Sequence, residues 1–208
     1  VKTFPLFSRK DLIRLFGPLL VEQLLAVLVG MADVVMVAAV GETAVSGVAL
    51  VDSISILVIQ VLSAMATGGA VVCSQYIGKK RPEQACRAAG QLVLITAALS
   101  LIIASIAFLG NRRLLGLIFG SVEDSVMNNA VTYFWFTAMS YPFLALYNSG
   151  AALFRSMGNS KVSMKVSLAM NAINVAGNAL CVFGLHMGVE GVAIPTLVSR
   201  MFAAVTFV

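Results

Sequence analysis

The sequence predicts an all-α membrane protein of six transmembrane helices, with both ends of the chain on the cytoplasmic side. Three observations carry this reading: a strongly apolar composition, six runs long enough to cross a bilayer, and basic charge on every other connection. Of the 208 residues, 60% are apolar and only 11% charged, and the mean hydropathy is +0.97. A soluble domain carries about a quarter charged residues and an apolar share near one half. Too few polar residues are available to coat a soluble fold of this size, so the bilayer is the expected solvent.

A spanning helix needs about 20 predominantly apolar residues. Runs at 15–40, 45–77, 85–109, 126–153, 162–185 and 189–208 meet that need. The first follows Lys2, Arg9, Lys10 and Arg14, as a leader would, but it is far longer than the 7–15 residues of a signal-peptide core and contains Glu22 and Asp33. It reads as a first span, with Pro18 as a residue of its first turn. The second run exceeds the hydrocarbon thickness and is expected to tilt or project. Pro82 suits the first turn of the third helix. Between the third and fourth runs, Leu114, Leu115, Leu117, Ile118 and Phe119 stand beside Arg112 and Arg113, which fits either a short interfacial helix or an ordinary turn with buried leucines. Gly158-Asn159 punctuates the turn before the fifth run, and Pro142 and Pro195 are expected to bend the fourth and sixth.

Charge sets the orientation. The amino-terminal segment (Lys2, Arg9, Lys10, Arg14), the second connection (Lys79, Lys80, Arg81, with Arg87) and the fourth (Arg155, Lys161, Lys165) are strongly basic. The first has only Glu42, the third balances Arg112 and Arg113 with Glu123 and Asp124, and the fifth has Glu190 beside His186. Basic connections face the cytoplasm, which places both termini there after six crossings. An even-span unit with this layout can be duplicated in tandem only in one orientation, the parallel-repeat plan of some transporters.

Several function classes are disfavoured. The net charge of +5 sits between apolar runs with no interleaved aromatic platforms, so no nucleic-acid partner is expected. Cys73, Cys86 and Cys181 have neither metal-site nor disulfide spacing. No nucleophile–base pair, phosphate loop or metal cluster supports an enzyme, no cofactor is expected, and His186 reads as a solvated loop residue.

Polar residues within the apolar runs are the functional candidates, because a charged side chain at bilayer depth costs a few kcal/mol or more and usually faces a bundle interior or aqueous cavity. They are Glu22, Asp33, Asp52, Arg200 and the series Asn171, Asn174, Asn178. The asparagine spacing of i, i+3, i+7 places all three on one helix face. Asp33 and Asn178 each lie seven residues before an outer helix end, and Thr196 lies seven after an outer start, so all three sit roughly 10 Å below the outer surface. That shared depth predicts one polar cluster. A carboxylate among amides and hydroxyls can coordinate Na⁺ or hold a proton; the bland alternative for Asp33 is an ion pair with Arg200. Glu22 is a second candidate partner for Arg200, and Asp52 lies nearer the outer interface. Asn171 suits interhelical hydrogen bonding.

At these same residues the chain resembles the multidrug and toxic compound extrusion (MATE) family. The likeness runs through Gly30-Met31-Ala32-Asp33-Val34-Val35-Met36-Val37, Val40-Gly41 and Ala44-Val45-Ser46-Gly47-Val48-Ala49. It continues through Thr67-Gly68-Gly69-Ala70, Ser74-Gln75-Tyr76-Ile77-Gly78 and Phe154-Arg155-Ser156-Met157-Gly158-Asn159-Ser160-Lys161. It ends in Gly188-Val189-Glu190-Gly191-Val192-Ala193 and Thr196-Leu197-Val198-Ser199-Arg200. The resemblance covers essentially the whole chain in order. It implies one six-helix lobe, the amino-terminal one, of a twelve-helix exporter that extrudes drug-like, often cationic compounds in exchange for Na⁺ or H⁺. It also implies a cation or proton site at Asp33, Asn174, Asn178 and Thr196. Glu22, Arg200 and Pro18 are the supporting candidates, and Asp33 is the possible Na⁺ ligand. Some members carry a second aspartate where this chain has Asn178. The expected partners are membrane lipids, drug-like small molecules and a second six-helix lobe, from the same gene or a second copy, and the expected location is the cell membrane. A lipid-linked oligosaccharide flippase and a non-transporting assembly subunit are the alternatives.

Overall fold

A computed structural model describes residues 9–207 of the chain. The segment bearing Lys2 lies outside the described residues, as do the side chains of Arg9, Lys10 and Arg14. Six α-helices follow one another: α1 (Arg9–Val40), α2 (Glu42–Gly78), α3 (Pro82–Phe119), α4 (Asp124–Ser156), α5 (Ser160–Ala179) and α6 (Glu190–Phe207). A π turn at Leu180–Gly184 prolongs α5, and no strand occurs among the described residues. Five of the six helices are long and apolar enough to cross a membrane.

Helix α4 is the exception, and its position explains why. It packs against α2, α3, α5 and α6 at the centre of the bundle. Its polar side chains therefore meet protein rather than lipid. Tyr141, Ser140 and Ser149 are fully buried. Tyr141 and Ser55 share a hydrogen bond of 3.1 Å, and Ser149 and Thr96 one of 2.8 Å. A helix ringed by other helices can trade lipid-facing apolarity for interhelical hydrogen bonds. Around it, Val51, Leu62, Phe134, Leu115 and Val192 form the interior.

Close helix approach depends on small residues. A Cβ at Gly47 would lie 2.9 Å from the α4 backbone at Val126 and Ala130. At Gly177 it would lie 2.7 Å from the Pro195 ring, so α5 and α6 touch where any larger residue would part them. Helix α1 is the outlier of the bundle. It leans on α5 and α2, while Leu20, Leu24, Leu28 and Val35 stand exposed.

Two local expectations change. The stretch after Asn111 is neither a separate interfacial helix nor a turn: α3 runs unbroken to Phe119. The Asn111 amide donates to the Val131 carbonyl of α4 at 2.9 Å and Leu115 is fully buried, so packing carries the helix past the end of the apolar run. Pro18 lies well inside α1 rather than in its first turn, because the helix already begins at Arg9. Pro82 does occupy the first turn of α3.

Candidate functional site

On α5, Asn171 and Asn174 line a cavity of about 760 Å³ bounded by α1, α2, α4, α5 and α6, and Asn178, on the same helix face, is fully buried behind it. Asp33, on α1, points into the same space. The Asn178 amide donates to Asp33 Oδ1 at 2.8 Å and to Asn174 Oδ1 at 3.3 Å. The Asn174 amide in turn donates to Thr196 Oγ1 at 2.9 Å, and the Thr196 hydroxyl donates to the Val192 carbonyl. Asp33, Asn178, Asn174 and Thr196 thus form one chain of hydrogen bonds linking α1, α5 and α6. Gly177 makes the α5–α6 link short enough, and the π turn begins two residues after Asn178.

One atom of this cluster has no partner. Asn178 is fully buried and its Oδ1 accepts nothing. A buried carbonyl oxygen without a donor costs free energy, and here it sits beside a carboxylate. The local inventory is thus rich in acceptor oxygens: Asp33, Asn174, Asn178 and Thr196. Such a set suits a hard cation or a proton.

Arg200 also lines the cavity, but the sequence-based pairings for it do not form. Among the described residues only two ion pairs occur, Arg112–Asp124 and Arg155–Glu22, and neither includes Arg200 or Asp33. Arg200 donates instead to Ser140 Oγ on α4 at 2.6 Å. Glu22 has a different cation from the one expected. Its Oε1 accepts from Arg155 at 3.4 Å and from the Tyr147 hydroxyl at 3.2 Å, and its Oε2 accepts from Ser163 at 3.0 Å. Arg155 lies in the basic connection that the charge pattern assigns to the inner side, so Glu22 is fastened at that end. Pro18 is absent from the cavity lining.

The sequence underrated one carboxylate. Asp52, about two turns after Ala44, where the buried face of α2 begins, lines the same cavity as Asp33 and receives the Tyr133 hydroxyl at 3.5 Å. The available signal was its register: Val45, Val48, Ala49, Asp52, Ile56 and Ile59 recur at helical spacing on one face, and all line the cavity.

A family model described as MatE matches residues 18–180. The chain belongs to the MatE family. It is a multi-pass membrane protein. This MatE chain is 29% identical to the uncharacterized transporter YisQ of Bacillus subtilis, over 100% of its own length and 45% of the relative's. It is 28% identical to the probable multidrug resistance protein NorM of Thermotoga maritima, over 94% of this chain and 43% of that one. Its fold matches a solved structure of a multidrug resistance MATE family transporter in an outward-facing conformation, with a TM-score of 0.89 at 19% identity, covering 95% of this chain and 44% of that one. A MATE in a bent conformation gives 0.87 at 18%, over 96% and 44% respectively. The chain spans less than half the length of the curated relatives it matches.

Proposed function

We propose that the chain is the amino-terminal six-helix lobe of a secondary active multidrug exporter, which extrudes amphipathic cations in exchange for Na⁺ or H⁺. The observation that carries the reading is the unpaired Asp33 carboxylate on a cavity wall, tied to Asn178, whose buried carbonyl lacks a donor. A charge at bilayer depth without a fixed counter-ion is expensive and marks an ion path. In this reading Na⁺ or a proton neutralises Asp33 and takes up the acceptor capacity of Asn178. The Asn178–Asp33 bond, which ties α1 to α5, then loosens, and this end of α1 shifts against the cavity while Glu22 keeps the other end anchored. Cargo and coupling ion share the cavity, so arrival of one favours departure of the other.

The likeness to the NorM of Thermotoga maritima and to the multidrug export protein MepA of Staphylococcus haemolyticus supports the exporter class. The site residues are then Asp33, Asn174, Asn178 and Thr196. The plan also requires a second six-helix lobe, six crossings, both ends of this lobe in the cytoplasm, and residence in the cell membrane.

Gradient-driven dye efflux from everted vesicles carrying the full-length protein tests the function: transport of a cationic dye that collapses with the Na⁺ or H⁺ gradient is expected, and its absence for every cationic substrate would refute the reading. Single cysteines at Lys80 and Ser160 should label only from the cytoplasm, and at Glu42 and Glu190 only from outside.

A further inference from the structure

Three carboxylates line the cavity, and their surroundings differ. Glu22 is already matched by Arg155 and two hydroxyls. Asp33 is engaged by Asn178. Asp52 is exposed, and the polar contact it receives is the long one from Tyr133. It belongs to α2, whereas the asparagines of the cluster belong to α5, and no hydrogen bond joins it to them. On its own helix it is flanked by Val45, Val48, Ala49 and Ile56, with Val34 of α1 lining the same space. The Tyr133 hydroxyl holds the carboxylate without neutralising it. Arg200, the cation lining the cavity nearby, is turned to Ser140 and forms no ion pair with Asp52.

We infer that Asp52 is the cargo-recognising carboxylate of this lobe, taking the positive charge of an amphipathic organic cation whose apolar body lies against the valines and isoleucine around it. The inference rests on the exporter reading and deepens it, by separating the residue that meets the cargo from the one that meets the coupling ion. Three physical conditions favour Asp52 for this task. A carboxylate in an apolar-walled cavity attracts a cation far more strongly than one in open water. Asp33 is already held at 2.8 Å by the Asn178 amide, whereas the contact on Asp52 is the 3.5 Å one from Tyr133, so Asp52 offers the less engaged carboxylate. The cavity, at about 760 Å³, also falls within the range that takes a drug-sized ligand.

The test uses the purified full-length transporter and two probes of matched shape: tetraphenylphosphonium, a permanent cation, and its neutral isostere tetraphenylmethane in detergent. The readout is the ratio of the two dissociation constants. Asp52→Asn is expected to reduce the preference for the cation by about tenfold or more, the loss of one close opposite charge at partial desolvation. Asp52→Glu is expected to restore most of it. An unchanged ratio in Asp52→Asn, with the wild type preferring the cation, overturns the assignment of Asp52 while leaving the exporter reading intact. A wild type that shows no preference for the cation overturns both. A matching tenfold change in Asp33→Asn but not in Asp52→Asn transfers cargo recognition to Asp33 and refutes the separation of roles.

Discussion

Helix α1 carries two carboxylates, Glu22 and Asp33, on the order of 16 Å apart along the axis at the usual helical rise. Both are partly buried, and both reach α5. At Glu22 the charge is met in place: one guanidinium and two hydroxyls converge on its two oxygens, with only 12% of the side chain exposed. At Asp33 a single amide approaches, no ion pair forms, and a neighbouring carbonyl is left without a donor. A buried charge with a fixed partner fastens helices together. One whose partner is missing has to borrow it, and what it borrows can come and go. The two ends of α1 therefore pair a fixed anchor with an exchangeable one.

The largest expected effect falls on the exchangeable end. Asp33→Asn should abolish gradient-driven efflux in the full-length protein, because asparagine keeps the shape but cannot be neutralised by a cation. Glu22→Gln should retain a measurable rate in the same vesicle assay. Equal loss in both would erase the distinction.

Stability should move the opposite way. Glu22→Gln strands Arg155 and should cost about 2–3 kcal/mol in detergent, below the 3–5 kcal/mol of a fully buried pair because the Arg155 side chain is 29% exposed. Adding Arg155→Met should recover most of that. Asp33→Asn should stay within about 1 kcal/mol of wild type, since no cation is stranded. Thermal unfolding of the solubilised protein reads all three.

Much of this contrast was legible in the sequence, and the limits are instructive. The asparagine spacing and the matched depths of Asp33, Asn178 and Thr196 follow from helix geometry, which a sequence carries directly, and the structure brings those residues together. The partner of Glu22 does not follow that way. Arg200 was the expected candidate because it shares the apolar interior, whereas Arg155 belongs to a basic helix end. The long Arg155 and Tyr147 side chains reach Glu22 from α4, a helix whose backbone does not pack against α1, and no sequence pattern announces that reach. Asp52 was underrated for a similar reason: its depth suggested the interface, but the rotation of α2 decides that it faces the cavity. The length of α3 was hidden by Asn111, Arg112 and Arg113, which end an apolar run without ending a helix. The central place of α4 explains why its many polar groups are tolerated, and no run of apolar residues announces such a position.

Smaller effects probe how the outer cluster is built. Gly177→Val forces a side chain against the Pro195 ring and should cost about 1–3 kcal/mol, with weaker coupling-ion binding, because the Asn174–Thr196 link would open. If Gly177→Val binds the ion normally, close α5–α6 packing is not what assembles the site. Thr196→Val removes only the hydroxyl that Asn174 donates to and should cost about 1 kcal/mol or less, measured by the same unfolding assay.

The most direct test of exchangeable against fixed charge is a titration of the coupling cation into the purified full-length protein, as Na⁺ binding or proton uptake, for wild type, Asp33→Asn and Glu22→Gln. The account predicts that Asp33→Asn loses a saturable component that Glu22→Gln keeps. Retention of that component in Asp33→Asn, or its loss in a folded Glu22→Gln, would contradict it.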